Sequence, residues 1–252
     1  MTTHSPRRVA VVTGGASGIG LETSLLLASR GYDIAIGDID LEGATSTAKT
    51  ISAAGGGTAR AFEIDLANDS SITTFREEVV DAQGVPTLLA NVAGWDMPGP
   101  FLDNTDEYRH KVIAINLLGP IKVAQEFLGP MVSEGIPGRI VNVSSDAGRV
   151  GAAGEIVYSA AKGGIIAFTK SLALEMARHG ITVNCVAPGP TDTPLLQHIS
   201  EKQQAALLRA IPLRRLAQPQ EIAAVIAFFG SPEADYITGQ ILSVSGGLTM
   251  CD

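Results

Sequence analysis

Cysteine, tryptophan and positive charge are scarce in this chain. Its 252 residues hold two cysteines, Cys185 and Cys251, and one tryptophan, Trp95. The cysteines lie far apart and Cys185 stands in an apolar run, which argues against a disulfide framework and a zinc site and points to a reducing, cytoplasmic setting. No metal is expected. Only 17% of residues are charged, and 18 Lys and Arg face 26 Asp and Glu, a net charge of −8. Nucleic-acid binding relies on clustered cations, so no nucleic-acid partner is expected. No run approaches the ~20 apolar residues of a membrane span. The apolar stretch after MTTHSPRR reaches only Thr13, too short for a signal peptide. The expectation is a soluble protein that acts on a small molecule, without a membrane.

Hydrophobic residues make up 45% of the chain, and no linker-like stretch divides it, so one domain over 1–252 is expected. Short Val- and Ile-rich runs alternate with helix-period segments, the pattern of βαβ units around a parallel sheet covered on both faces. Seven strands are predicted: Val9–Thr13, Asp33–Gly37, Ala59–Asp65, Thr87–Ala90, Arg139–Ser144, Thr182–Ala187 and Gln240–Val244. Helices are predicted over Ile19–Arg30, Leu41–Ala54, Ser70–Gln83, Asp106–Met131, Val157–Arg178 and Gln220–Phe229, some ended by Gly31, Gly84 or Gly180. Between Pro188 and Pro219 the pattern is irregular around a polar helical piece, Ile199–Ala210, and reads as a mobile lid over about 190–217. The expected fold class is α/β, a seven-stranded parallel sheet with helices on both faces.

Polar chemistry collects where the strands end. Thr13-Gly14-Gly15-Ala16-Ser17-Gly18-Ile19-Gly20 runs from the first strand into the first helix. Glycines at 14, 18 and 20 permit a tight turn, close approach to a pyrophosphate and tight helix packing, while the helix N-terminus offers free N–H groups. An ordinary βα turn has the same look in isolation, and three residues rather than one separate the first two of these glycines. Asp38 ends the second strand, 18 residues past Gly20, where a carboxylate can accept from both ribose hydroxyls of an adenosine. No Arg or Lys stands between Arg30 and Lys49 to neutralise a 2′-phosphate, which favours NAD over NADP. Asp40 is the better candidate for a plain helix cap. Asp65-Leu66 and Asn91-Val92-Ala93-Gly94 end the third and fourth strands on the same edge, where Asp65 can meet an adenine amino group and the Asn91–Gly94 backbone a ribose; turn chemistry is the alternative.

Tyr158 and Lys162 are four apart in a helical segment, which puts both on one face. A phenol is a poor base at its ordinary pKa of ~10, and an adjacent ammonium is expected to lower that value. Ser145 ends the fifth strand, placed to donate to the same substrate oxygen. Asn116 is a polar residue in an apolar helix and costly there unless bonded.

These residues resemble the short-chain dehydrogenase/reductases, and the match runs from Val9 to Gly247. It rests on TGGASGIG at 13–20, NVAG at 91–94, Asn116 in IAINLLG, GRIVNVSS at 138–145, YSAAK at 158–162 and PGPTDT at 188–193. The resemblance implies a single-domain, Rossmann-type doubly wound fold, a nicotinamide cofactor, a Ser145–Tyr158–Lys162 set extended by Asn116 into a water-borne proton relay, and a homotetramer built from the two long helices and the tail Ile241–Met250. It also implies that Lys162 holds the nicotinamide ribose and that Pro188, Gly189, Thr191 and Thr193 border the nicotinamide and phosphates. Val92 departs from the usual asparagine there. A narrower resemblance, in Gly94-Trp95-Asp96, SDAGRVGAAGEIVY at 145–158, PGPTDTPLL at 188–196 and GQILSVSGGLTM at 239–250, points to dehydrogenases of 2-hydroxycyclohexanecarboxyl-CoA.

Trp95 reads as a wall for a substrate ring or as a loop anchor. Asp146, Pro190 and Leu195 are further substrate candidates, with Asp146 expected to pair with Arg149. The resulting expectation is an NAD-dependent secondary-alcohol dehydrogenase for a cyclic 2-hydroxyacyl-CoA. A dehydrogenase of free cyclic or aryl alcohols and a non-catalytic NAD-binding protein remain open alternatives.

Overall fold

In a computed structural model the described residues are 8–55, 57–196 and 201–251, with the side chains of Leu195 and 201–204 excluded. The N-terminal MTTHSPR and the start of the helical piece expected at Ile199 therefore lie outside the described residues. One seven-stranded sheet, parallel at every pairing, is formed by β1 (Arg8–Thr13), β2 (Tyr32–Asp38), β3 (Ala59–Glu63), β4 (Leu88–Asn91), β5 (Gly138–Val143), β6 (Ile181–Pro188) and β7 (Ile241–Val244). Their order is β3-β2-β1-β4-β5-β6-β7. The chain reverses direction across the sheet between β1 and β4, and a crevice for a ligand opens at such a switch point. The helices are α1 (Gly18–Ser29), α2 (Leu41–Ala53), α3 (Asp69–Gln83), α4 (Asp106–Ile113), α5 (Gly119–Ser133), α6 (Asp146–Val150), α7 (Ile156–Met176), α8 (Glu201–Ala210) and α9 (Pro219–Phe229).

Strand alternation divides the core in two. Val12, Ile34, Ile36 and Val141 face one side and pack with Leu27 of α1, Ala44 and Ile51 of α2 and Ile222 and Ile226 of α9. Val11, Ala35, Leu89 and Ile140 face the other and meet Phe75 of α3, Phe127 of α5 and Ala173 of α7. Burial on both faces is why these strands read as unbroken apolar runs. Gly31, Gly84 and Gly180, at positive φ, end their helical segments as expected.

Two expectations about the fourth predicted helix need correction. Asp106–Met131 is not one α-helix, because a π-helical turn at Ala114–Leu118 separates α4 from α5. A π turn widens the helix by one residue and is frequent at functional sites; Asn116 sits at its centre. Second, the Asp106–Ser133 run is, by length and composition alone, apolar enough to cross a membrane, contrary to the sequence reading. Here its Val112, Val123, Ala124 and Phe127 are fully buried in the core.

The region read as a lid is closed at its base. Thr191 bridges Ala217, the Ala217 N–H donates to the Pro190 carbonyl at 3.0 Å, and Asp192 N–H donates back to Ala217 at 2.9 Å. Pro194–Leu196 forms a 3₁₀ turn inside this loop.

Candidate active site

The carboxyl ends of β1, β2 and β4 and the start of α1 enclose a cavity of about 400 Å³, bordered by Gly14, Gly18, Asp38, Asp65, Gly94 and Thr193 among others. The glycines are steric necessities. A Cβ on Gly14, at φ +74°, would stand 2.8 Å from Ala93 Cα, and one on Gly20 would stand 2.0 Å from the Gly14 carbonyl oxygen. Ser17 and Ile19 line the same wall, as do Leu66 and Ala93. Thr13, not singled out from sequence, locks the two sides: its hydroxyl accepts from the Val92 and Ala93 N–H groups at 3.1 and 3.2 Å.

Asp38 and Asp40 divide their roles. Asp40 caps α2 by accepting from the Gly43 N–H at 3.0 Å. The Asp38 carboxylate accepts from Ala16 N–H of the glycine turn at 2.9 Å and from Asp40 N–H at 3.0 Å. Each oxygen keeps a lone pair for a further donor. Asp65 lines the cavity while its Oδ1 accepts from Ala67 N–H at 2.9 Å. A glycine-built cradle beside a helix N-terminus, with a carboxylate at its far end, fits the diphosphate and adenosine ribose of a nicotinamide dinucleotide.

The catalytic candidates gather beyond Gly94. A Cβ there would lie 3.0 Å from Asn116 Oδ1 and 3.4 Å from Lys162 Nζ, so only glycine leaves that space. Lys162 Nζ donates to the Val143 carbonyl at 3.0 Å and stands 5.6 Å from the Tyr158 ring centroid. The end of β5 is tied to α7 by Ser144, whose hydroxyl donates to the Lys162 carbonyl at 2.7 Å. Ser145 caps α6 by accepting from Ala147 N–H at 3.1 Å, and its hydroxyl reaches the Tyr158 phenol. Asn116 is fully buried, accepting from Trp95 N–H at 3.1 Å and donating to the Trp95 and Val112 carbonyls at 2.6 and 2.9 Å. The bonds that offset its burial also fix the Trp95 backbone at the cavity edge.

The electrostatics differ from the expectation in sign. Burial pushes the Tyr158 phenol above its ordinary 10, Glu155 and Asp96 push it further, and only the bond with Ser145 lowers it. The lysine does not reverse this, because it is itself desolvated, its pKa pushed down from 10.5 to about 8. This has a consequence for stability. Below pH 8 the ammonium is charged in folded and unfolded chains alike and its burial cost is fully present. Between about 8 and 10.5 the folded chain has shed a proton that the unfolded chain still binds, so stability rises with pH. Urea midpoints measured across that window should climb more steeply for the wild type than for Lys162→Met, the two slopes parting by on the order of 3 kcal/mol in total. Equal slopes would contradict a desolvated lysine.

Several candidates lie elsewhere than expected. Asn91 turns into the sheet, donating to Asn142 Oδ1 at 3.0 Å, so its side chain does not border the cavity. Asp146 does not pair with Arg149: its Oδ1 accepts from the Ser243 hydroxyl at 2.7 Å, while Arg149 donates to Ser243 Oγ at 3.0 Å and to the Ile241 and Cys251 carbonyls. Held toward β7, Asp146 is buried and braces the end of the sheet. Pro188 and Gly189 pair with β7, Thr191 donates to the Gly189 carbonyl at 2.9 Å, and Pro190 is held by Ala217. None of these four borders the cavity, whereas Thr193 does. The Leu195 side chain is outside the described residues. Trp95 has two sets of neighbours. It lines the cavity, and it also packs on Tyr108 with centroids 6.1 Å apart, under the Lys111 ammonium at 4.1 Å. Sequence reasoning passed over Lys111 and Tyr108, which carry no local motif.

Comparison with known proteins decides the family. A family model described as enoyl-(acyl carrier protein) reductase matches residues 14–249. The chain belongs to the short-chain dehydrogenase/reductases. Over 96% of its length it is 38% identical to (2S)-[(R)-hydroxy(phenyl)methyl]succinyl-CoA dehydrogenase subunit BbsD of Thauera aromatica, covering 97% of that protein. It is likewise 38% identical to the 3-oxoacyl-[acyl-carrier-protein] reductase FabG of Vibrio cholerae, covering 98%, and 35% identical to the human (3R)-3-hydroxyacyl-CoA dehydrogenase, covering 95%. Membership makes this short-chain dehydrogenase/reductase an oxidoreductase that uses a nicotinamide cofactor and a small-molecule substrate.

Proposed function

We propose that this short-chain dehydrogenase/reductase is NAD-dependent and interconverts a secondary alcohol and a ketone on a cyclic 2-hydroxyacyl thioester. The observation that carries the reading is the run of neighbours from Ser145 to Tyr158 to Lys162, whose Nζ lies behind Gly94 on the wall of the cavity. Asp38 supports NAD, since a carboxylate already at the cavity wall disfavours a 2′-phosphate. The names of the three relatives, each a dehydrogenase or reductase of a CoA or acyl-carrier-protein thioester, support the acyl substrate. Trp95 offers a flat apolar surface for a ring.

Bound nicotinamide supplies the site that takes or gives the hydride. The phenol of Tyr158 exchanges a proton with the substrate oxygen, and Ser145 donates a second hydrogen bond to hold that oxygen in line. Lys162 contributes positive potential beneath the phenol ring. Burial keeps the Tyr158 phenol protonated at neutral pH, the form that gives its proton to a carbonyl, and oxidation of an alcohol needs the phenolate, so in the oxidative direction the rate should rise with pH. The region around 190–217 is assigned to covering the substrate, and a homotetramer with a cytoplasmic location completes the reading.

A substrate panel tests it. The protein is assayed at 340 nm with NAD and NADP against cyclic 2-hydroxyacyl-CoA thioesters and against free cyclic and aryl alcohols. The expected result is a kcat/KM at least tenfold higher for the thioester with NAD than for any other pairing. Activity confined to CoA-free alcohols would overturn the assignment.

A further inference from the structure

Two carboxyl groups at the reactive end have no part in the proton transfer above. Asp96 follows Trp95 in the segment after β4, and Glu155 directly precedes α7, three residues before Tyr158. A hydrogen bond from Gly99 N–H to the Gly154 carbonyl, 2.9 Å, ties their two segments together. Trp95, Tyr108, Val157 and Tyr158 share one small apolar cluster, which places both carboxyls beside the phenol. Asp96 is only 9% exposed. Its Oδ1 accepts from the Tyr108 hydroxyl at 2.8 Å, and its buried Oδ2 has no hydrogen-bond partner. Burial raises both groups, and the charge on Asp96 raises Glu155 further.

Among the described residues, no cation acts on either carboxyl. Lys111 lies over the Trp95 ring and Lys162 bonds the Val143 carbonyl, and neither is paired with a described carboxyl. Both carboxyls act on the Tyr158 phenol and neither is held in an ion pair by a described residue, so a second anion brought beside that phenol meets like charge in a poorly screened space. Specificity often comes from such a repulsive element rather than from an added contact.

We propose that Asp96 and Glu155 are specificity-determining residues that bar an anionic substituent next to the reacting carbinol, so that the site takes a hydroxyacyl thioester and refuses the corresponding free hydroxy acid. The acyl carbonyl of a thioester is neutral, and the phosphates of its carrier lie at the far end of a long arm. This rests on the alcohol–ketone reaction proposed above and goes further, naming the group that the site discriminates against.

Enzyme loaded with NADH binds analogues without turning them over, so the test need not depend on activity. Cyclohexanecarboxylate and cyclohexanecarboxamide are titrated while cofactor fluorescence is followed. The wild type should bind the amide at least tenfold more tightly than the carboxylate. In the Asp96→Asn/Glu155→Gln double variant the ratio should fall toward one through a gain for the carboxylate. Both single variants accompany it, since either can fold where the double does not, and each should move the ratio part of the way. Equal binding by the wild type, or a ratio unchanged in the variants, overturns the proposal. An analogue ratio as expected, with no turnover of either hydroxy acid or thioester, supports the acidic pair and counts against the proposed reaction alone.

Discussion

Replacing Tyr158 by phenylalanine is expected to lower kcat by on the order of 10²–10⁴-fold, the range over which a positioned acid or base contributes, while NADH affinity stays within about twofold. The change removes one hydroxyl and keeps the ring, so the apolar contacts with Trp95, Tyr108 and Val157 persist. Lys162 keeps its bond to the Val143 carbonyl and Ser145 its bond to the Ala147 N–H. Loss of turnover would then report the proton alone, and fluorescence titration with NADH would show whether the cradle at Gly14–Gly20 had been disturbed. Turnover that survives the substitution would remove the proposed acid–base group and leave a nucleotide-binding scaffold as the better account.

Asp38→Ala is expected to change cofactor choice. A charged acceptor is worth about 1.5–3 kcal/mol per hydrogen bond, so the loss for NAD should be about 10- to 10²-fold in kcat/KM. NADP should gain, because a carboxylate no longer faces its 2′-phosphate. Asp38 also anchors the glycine turn through Ala16 N–H, and a loosened turn would weaken both cofactors alike. The ratio of the two kcat/KM values separates the causes. It should shift toward NADP by about 10²-fold, whereas a purely structural role leaves it fixed.

How far the sequence disclosed this depended on how local each signal was. Burial on both faces made the five inner strands visible as apolar runs, and the partly buried edge strands β3 and β7 were found as well, all with ends displaced by a residue or two. The glycine turn, Asp38 and the Tyr158–Lys162 spacing were legible because each lies within one βα unit or one helix. The π turn around Asn116 was hidden, since one extra residue barely disturbs a hydrophobic stripe. The five-residue α6 is held by the Ser145 cap and by close packing on α7, where a Cβ on Gly148 would stand 2.6 Å from the Lys162 carbonyl carbon. Neither leaves a periodic trace. Asp146 and Arg149 looked like a pair at helical spacing, yet both bind Ser243, more than ninety residues away. The charge on Tyr158 was misjudged for the same reason. Its lysine was visible at four residues, whereas Asp96 arrives from another segment and burial dominates both.

Isotope transfer tests the central claim most directly. A cyclic 2-hydroxyacyl thioester carrying deuterium on its carbinol carbon is incubated with NAD and the wild-type protein, and the reduced cofactor is isolated and weighed by mass spectrometry. The account predicts NADH that carries the deuterium, formed alongside the 2-oxo thioester. Reduced cofactor without the label, or recovery of unchanged thioester and NAD, would contradict it.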